Sequence, residues 1–564
     1  MTQRPDHADD SCSVNQTVPA GSRVVEAPPA LVPDHIPPAS SSLPLPEQSN
    51  NANNNNRSGT SRAAAAVEHD APLGSPRAVT APSSDNEKAA PADQVQPHAA
   101  AGNTADNSNG DDDFPEGGLE AWLVVFGSFC AMISVYGLIN SAAIFESYFS
   151  NNQLKGYDSS TIGWIFSVYL FLVFFAGIQA GPIFDAYGPR WLVAVGSIMV
   201  VASQMLLSVS TEYYQILLTY SVLGGLGGAL LNVPAYGVIA HFFKARRGLA
   251  TGMAATSGSI GGIAFPFLFQ ATFPRLGFGW STRISGFILL ALAVPANLLV
   301  RSRLTPTKKK LKLQQQQQQD VTEQGTVTAV TAGPPSTKSS VMPDWSLFKD
   351  SKYLLCCLGL WFMEWGIFIP LTFIVSYAAD HKASSSSSSH NDTAGPAYTL
   401  LALLNVGSFF GRFLPGFLAD KVGRFNVIVV TNGLCAATIL GLWLPVAWVP
   451  AGPGADALLI VFVIVFGFMS GSNLGLFPVC IGQLCEARDY GRFYSTALML
   501  GSFGTLTSVP IGGALLSVGG GGGAASEQGW NALIVFAALS YFIAMSCFLA
   551  ARVLATSWRV KEVF

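Results

Sequence analysis

Apolar stretches of about twenty residues recur from Trp122 to near the end of the chain. Each is long enough to cross a hydrocarbon core of roughly 30 Å at about 1.5 Å of helical rise per residue. They fall near residues 120–144, 162–183, 190–209, 214–240, 249–272, 282–300, 353–378, 398–418, 426–447, 457–481, 493–517 and 530–553, twelve in all. The expected fold class is therefore an all-α membrane protein. Composition agrees, because 50% of the 564 residues are hydrophobic and only 12% are charged, against roughly 25% charged in a soluble domain. The formal charge of -3 gives no reason to expect a nucleic-acid partner. Most of the eight cysteines (Cys130, Cys356, Cys357, Cys435, Cys480, Cys547) lie within apolar runs without metal-ligand spacing, and they read as small packing residues. No metal, cofactor or obligate protein partner is expected, only lipid, a small molecule and protons.

Residues 1–115 are rich in Pro, Ala, Ser, Asn and Asp and lack the apolar mass that would offset the entropy of ordering, which predicts a disordered cytoplasmic tail. This tail has no secretory-signal pattern, so the first apolar run has to direct insertion. A hydrophilic stretch at 301–350, with "KKKLK", "QQQQQQ" and "GPPSTKSS", predicts a cytoplasmic linker between a six-helix bundle at 116–300 and another at 351–555; residues 556–564 form a short C-terminal tail. About twenty Lys and Arg fall on the side of the 2/3, 4/5, 6/7, 8/9 and 10/11 loops and the C-terminus, against about four on the other, which places both termini in the cytoplasm. The sequon Asn391-Asp392-Thr393 then falls in the outer 7/8 loop, making Asn391 a candidate glycosylation site.

The two halves repeat one motif. After the second span the chain reads "GPIFDAYGPR", and after the eighth "GFLADKVGR": Gly, three residues, Asp, two residues, Gly, with an Arg following. Taken singly each is an ordinary polar turn, with Gly for positive φ and charges for solubility. Two copies at equivalent places in two six-span halves point to a shared role. These loops resemble the 2/3 and 8/9 loop motif of the major facilitator superfamily. The resemblance implies two six-helix bundles related by a pseudo-twofold axis along the membrane normal, with a substrate site between them near mid-membrane. It also implies that Asp185 and Arg190 in one half, and Asp420 and Arg424 in the other, join a charge and helix-end network that holds the cytoplasmic side closed.

A narrower likeness covers about residues 115–555. "PEGGLEAW" at Pro115 to Trp122 resembles the acidic-Gly-Gly-aromatic-x-Trp start of the monocarboxylate transporter family, with Leu119 in place of the aromatic. "HFFKARRGLATGMAATSG" at His241 to Gly258 resembles that family's fifth-helix signature, and "SVPIGGALL" in span eleven adds to the likeness, which is closest to the fungal branch. In that family the position matching Arg412 carries the arginine that binds substrate carboxylate. Its usual acidic partner falls here on Ser408, however, and its first-helix lysine on Asn140. The likeness thus implies an anion-tolerant carrier more than a lactate and proton symporter.

Arg412 sits about two turns inside an otherwise apolar run, where a guanidinium costs on the order of 2.5 to 3.5 kcal/mol on insertion scales. Asn405 and Ser408 share its helical face, giving a polar stripe that suits a cavity; the alternative is snorkelling to the cytoplasmic surface. Glu364 lies in "LGLWFMEWGIFIPLTF" with no cation in its own helix. A carboxyl group that alternates between a neutral buried form and an ion pair with Arg412 is what proton coupling requires, and a structural buried glutamate is the other reading. Asn140, Asn232, Asn405 and Asn473, with Tyr136 and Tyr236 one turn from the first two, are candidate cavity-lining groups, although any of them can instead link helices. "GGLGGA" lies in an apolar helix and follows no strand, so it reads as helix packing and not as a nucleotide loop. No HExxH, nucleophile elbow or Walker sequence appears, which argues against a hydrolase or an ATP-driven pump.

The expected function is alternating-access transport of a small organic anion or secondary metabolite at the plasma membrane, in the direction of efflux. Proton-coupled uptake of a monocarboxylate or riboflavin is the alternative, and a membrane sensor that binds without translocating is a third reading.

Overall fold

The computed structural model describes residues 114–304, 343–383, 394–450, 452–518 and 526–556. The tail before residue 114, most of the 301–350 linker, the Asn391 sequon and residues 557–564 lie outside the described residues. Because lipid offers backbone amides no partner, an apolar run must satisfy them within itself, and all twelve become helices. They are α1 (Gly118–Asn140), α2 (Thr161–Tyr187), α3 (Arg190–Leu207), α4 (Tyr213–Phe242), α5 (247–276), α6 (278–299), α7 (Ser351–His381), α8 (Thr399–Val422), α9 (Arg424–Val446), α10 (Pro453–Ile481), α11 (Tyr490–Leu516) and α12 (Glu527–Thr556). The sequence predicted a loop between the fifth and sixth spans. In the structure α5 and α6 are two helices that meet with almost no loop across a kink at Gly277, whose φ of 73° is positive and open to glycine, and a turn at Thr256 interrupts α5 near its start.

Large apolar side chains such as Trp191, Ile198, Phe287, Leu298 and Phe542 point outward, as suits a hydrocarbon surround. Inside, the packing of one half is repeated in the other. Helix α1 packs on α5 and α6 as α7 packs on α11 and α12; α4 packs on α2 and α3 as α10 does on α8 and α9; and α3 meets α6 as α9 meets α12. Between the halves the same symmetry pairs α2 with α11 and α5 with α8. Glycine permits both approaches. A Cβ on Gly491 of α11 would lie 2.8 Å from the Gly181 carbonyl of α2, and one on Gly416 of α8 would lie 2.6 Å from the Gly248 carbonyl of α5.

Candidate functional site

The repeated aspartates mark the ends of α2 and α8, and each reaches across to the opposite half. Asp185 accepts hydrogen bonds from the backbone amides of Gly491 (3.0 Å) and Arg492 (2.8 Å) at the start of α11. Asp420 accepts from those of Gly248 and Leu249, both at 2.8 Å, at the start of α5. A helix start presents unpaired N–H groups and partial positive charge, so a carboxylate is a natural cap there. Each half therefore caps a helix of the other, and the two contacts form a pair of crossed clasps. Arg424 lies 3.5 Å from Asp420 and also donates to the Lys244 carbonyl in the 4/5 loop. Arg190 does not play the matching part. It is exposed at the start of α3 and, among the described residues, forms no ion pair with Asp185, whose carboxylate oxygens meet amides instead.

Two side chains that sequence reading missed add to this end of the molecule. Arg247 donates to Phe243 (2.9 Å), Ala240 (3.1 Å) and, across the halves, the Gly482 carbonyl (2.5 Å). His241 spans from Ser302 Oγ (2.8 Å) to the Ala487 carbonyl (3.0 Å). The spacing that could have found the helix starts is the match between "RGLATG" and "YGRFYS", which sets Gly248 and Gly491 at equivalent places in the two repeats.

Deeper in, Arg412 is buried at the boundary between the halves, so it does not snorkel. Its Nη1 donates to the Ala255 carbonyl of α5 at 2.5 Å, and its Nε has no hydrogen-bond partner among the described residues. Tyr136 of α1 and Tyr236 of α4 lie within electrostatic reach of the guanidinium, and their hydroxyls approach each other. Tyr136 donates to Asn232 Oδ1 at 3.1 Å, while Asn232 Nδ2 is left without a partner among the described residues. Tyr494 of α11, also missed, packs on Tyr236 with ring centroids 5.4 Å apart. Asn140 joins the group through the Gly258 carbonyl at 3.1 Å, next to Arg412, and Asn140 and Asn405 flank Gly262. Arg412 and five other expected residues, Tyr136, Tyr236, Asn232, Asn140 and Asn405, thus gather in one place.

Three do not. Ser408 lies against α10, where Gly471 lets it approach. Asn473 is inside the second bundle, accepting from Thr431 Oγ1 (2.5 Å) and Asn432 Nδ2 (3.4 Å) and donating toward Cys435 Sγ (3.4 Å), so it links helices. Glu364 is buried and holds one long contact, accepting from Thr505 Oγ1 at 3.4 Å; no ion pair joins it to Arg412. Tyr136 lies within electrostatic reach of both charged groups.

The role of Asn473 is open to a direct check. Asn473→Ala removes these inter-helix contacts while Thr431 and Asn432 keep their bonds to the Val427 and Ile428 carbonyls of α9, so the loss is about 0.5 to 1.5 kcal/mol per hydrogen bond removed. The expected outcome is a lower melting temperature with an unchanged KM for transport, read by thermal unfolding and uptake on the same preparation.

A crossed pair of bundle-to-bundle clasps beneath a buried polar centre is the build of an alternating-access carrier. Residues 124–481 match the Major Facilitator Superfamily, and the chain belongs to that family of transporters. It is 36% identical over 444 residues to the "MFS-type transporter opdF" of Penicillium oxalicum, covering 79% of this chain and 93% of that one. It is 35% identical over 448 residues to the "Riboflavin transporter MCH5" of Saccharomyces cerevisiae (78% and 79% covered), and 32% identical over 453 residues to the "Fujikurins efflux protein" of Gibberella fujikuroi (80% and 86%). The crystal structure of the Escherichia coli fucose:proton symporter superposes with a TM-score of 0.54 at 16% identity, covering 76% of this chain and 99% of that one, which supports the fold.

Proposed function

We propose that this carrier exports an amphipathic organic anion, a secondary metabolite, across the plasma membrane in exchange for or together with protons. The chain is then of the monocarboxylate-transporter type within its superfamily, with both termini and the two clasps on the cytoplasmic side. The carrying observation is the buried Arg412 guanidinium, which has, among the described residues, no partner for its Nε and no carboxylate within ion-pairing distance. A buried charge is retained only where something compensates it, and an anionic cargo does so during transport. Asn232 and the tyrosine hydroxyls supply neutral hydrogen bonds for the rest of the ligand. The similarity to an efflux protein supports export. The similarity to a riboflavin transporter favours a second reading, uptake of a conjugated ring system that stacks on Tyr236 and Tyr494.

Glu364 is the proposed proton site, since it is buried near Tyr136 with no ion pair among the described residues and can alternate between protonated and ionised forms as the bundles move. Counterflow of labelled aromatic carboxylic acids in proteoliposomes tests the carrier reading, because a sensor binds saturably but shows no counterflow. In the same assay Glu364→Gln is expected to flatten the pH dependence of net flux while leaving counterflow intact. Unchanged pH dependence removes the glutamate from coupling.

A further inference from the structure

The segment before α1 makes a contact that the transport reading does not use. The Glu116 carboxylate accepts hydrogen bonds from three successive backbone amides of the 4/5 loop, Lys244 (2.7 Å), Ala245 (2.6 Å) and Arg246 (3.0 Å). Its own amide donates to the Phe242 carbonyl at 3.3 Å. Around this contact Trp122 packs on Phe243 with centroids 5.2 Å apart, and Phe114 lies under both Lys244 and Arg303. Glu116 is also the one described non-glycine residue with positive φ, at 50°. That conformation is disfavoured for a glutamate and persists where the surroundings over-determine it.

The loop held by Glu116 is the same one that receives the second half. Its Lys244 carbonyl accepts from Arg424, and two residues after Arg246 the amides of Gly248 and Leu249 receive Asp420. We propose that Glu116 is a positioning residue for the transport cycle, whose carboxylate sets the 4/5 loop in the shape that lets α8 and α9 close on α5. The acidic residue of "PEGG" thus acts through the clasp and touches no cargo.

The arrangement is one-sided. Ahead of α7, the equivalent place in the repeat, Asp350 accepts from the Lys352 amide and Asp344 from the Ser346 amide, both at 3.0 Å. Those carboxylates cap their own segment and, among the described residues, accept no amide of the 10/11 loop; the start of α11 is met instead by Tyr353, whose hydroxyl donates to the Phe493 carbonyl at 2.7 Å. Loss of the Glu116 contact should therefore loosen the α5/α8 clasp and spare the α2/α11 clasp, a difference that general unfolding does not produce.

Full-length protein in nanodiscs provides the test. Hydrogen exchange is expected to find the amides of residues 244–246 protected in the unsubstituted protein and released by about tenfold or more in Glu116→Ala. In a cysteine-free background, maleimide labelling of a cysteine placed at the buried Thr251, behind the α5/α8 clasp, is expected to rise on Glu116→Ala. Labelling of a cysteine at the buried Ser495, behind the other clasp, is expected to stay near its starting rate. Glu116→Gln keeps an acceptor oxygen and should fall between. Unprotected loop amides in the folded parent protein, or an equal rise at both cysteines, overturns the proposal; if Glu116→Ala does not fold, the parent exchange pattern and Glu116→Gln decide. The inference rests on reading the Asp420 contact as a gate, and Asp420→Asn separates the two. If that variant raises Thr251 labelling and Glu116→Ala does not, only the positioning role falls; if neither does, the gate reading falls with it.

Discussion

Arg412→Ala is expected to reduce transport of an anionic cargo by more than about 100-fold, because removing one partner of a buried ion pair costs on the order of 3 to 5 kcal/mol. Arg412→Lys keeps the charge but loses the fork of donors. It should retain some transport while binding a planar carboxylate more weakly, by roughly tenfold. The informative companion measurement is thermal stability. Among the described residues the buried guanidinium has one carbonyl acceptor and no partner for its Nε, so it is a burden on the resting fold. Arg412→Leu should therefore melt at or above the temperature of the parent while failing to transport. A large drop in melting temperature would show instead that the arginine serves the architecture, and the anion-binding scheme would lose its support.

The second large effect concerns the place where α5 and α8 touch. Gly416→Val puts a branched side chain where even a Cβ would sit 2.6 Å from the Gly248 carbonyl. The obstacle is backbone, which cannot rotate aside as a side chain does. Overpacking of this kind costs about 1 to 3 kcal/mol or more. The cost falls only on conformations in which the two helices meet, so the variant should populate the form with this clasp open. Net transport is expected to drop at least about tenfold, with the Thr251 cysteine becoming labelled as it does when the clasp is broken chemically. A variant that transports normally would mean that α5 and α8 do not close on each other in the cycle. Gly513→Val on α11, where a Cβ would meet nothing within 4 Å, is the control and should be silent.

The number of spans, their places and the two-half organisation were legible because each rests on the combined apolar character of about twenty neighbouring residues, a signal that one residue cannot spoil. The repeated aspartates were legible for a related reason, since a duplicated polar motif stands out against apolar surroundings. Their partners were not. Asp185 and Asp420 bind backbone N–H groups, which every residue except proline carries, so no side-chain type announces them. Arg190 differs from its counterpart in spacing: it stands five residues after Asp185, with Pro189 inserted, whereas Arg424 stands four residues after Asp420 and pairs with it at 3.5 Å. Asn473 and Asn232 illustrate a further limit. Both are single asparagines in apolar helices, yet one links three groups within a bundle while the other accepts from Tyr136 at the boundary between bundles. Helical spacing gives the face of a residue only relative to its own helix, and the direction of that face is set by packing across the molecule. Glu116 stood out in the sequence only through a family likeness, and its physical use depends on a loop 128 positions away.

The exchange of caps between the halves also has a meaning for biosynthesis. While the ribosome has released only the first six spans, Asp185 has no helix to cap and the amides opening α5 have no carboxylate to receive. The nascent first half is an incomplete object at its own polar rim, and so is the second. Co-expressed as separate polypeptides, the two pieces should seek each other, and either one made alone should be the preferred substrate of membrane quality control.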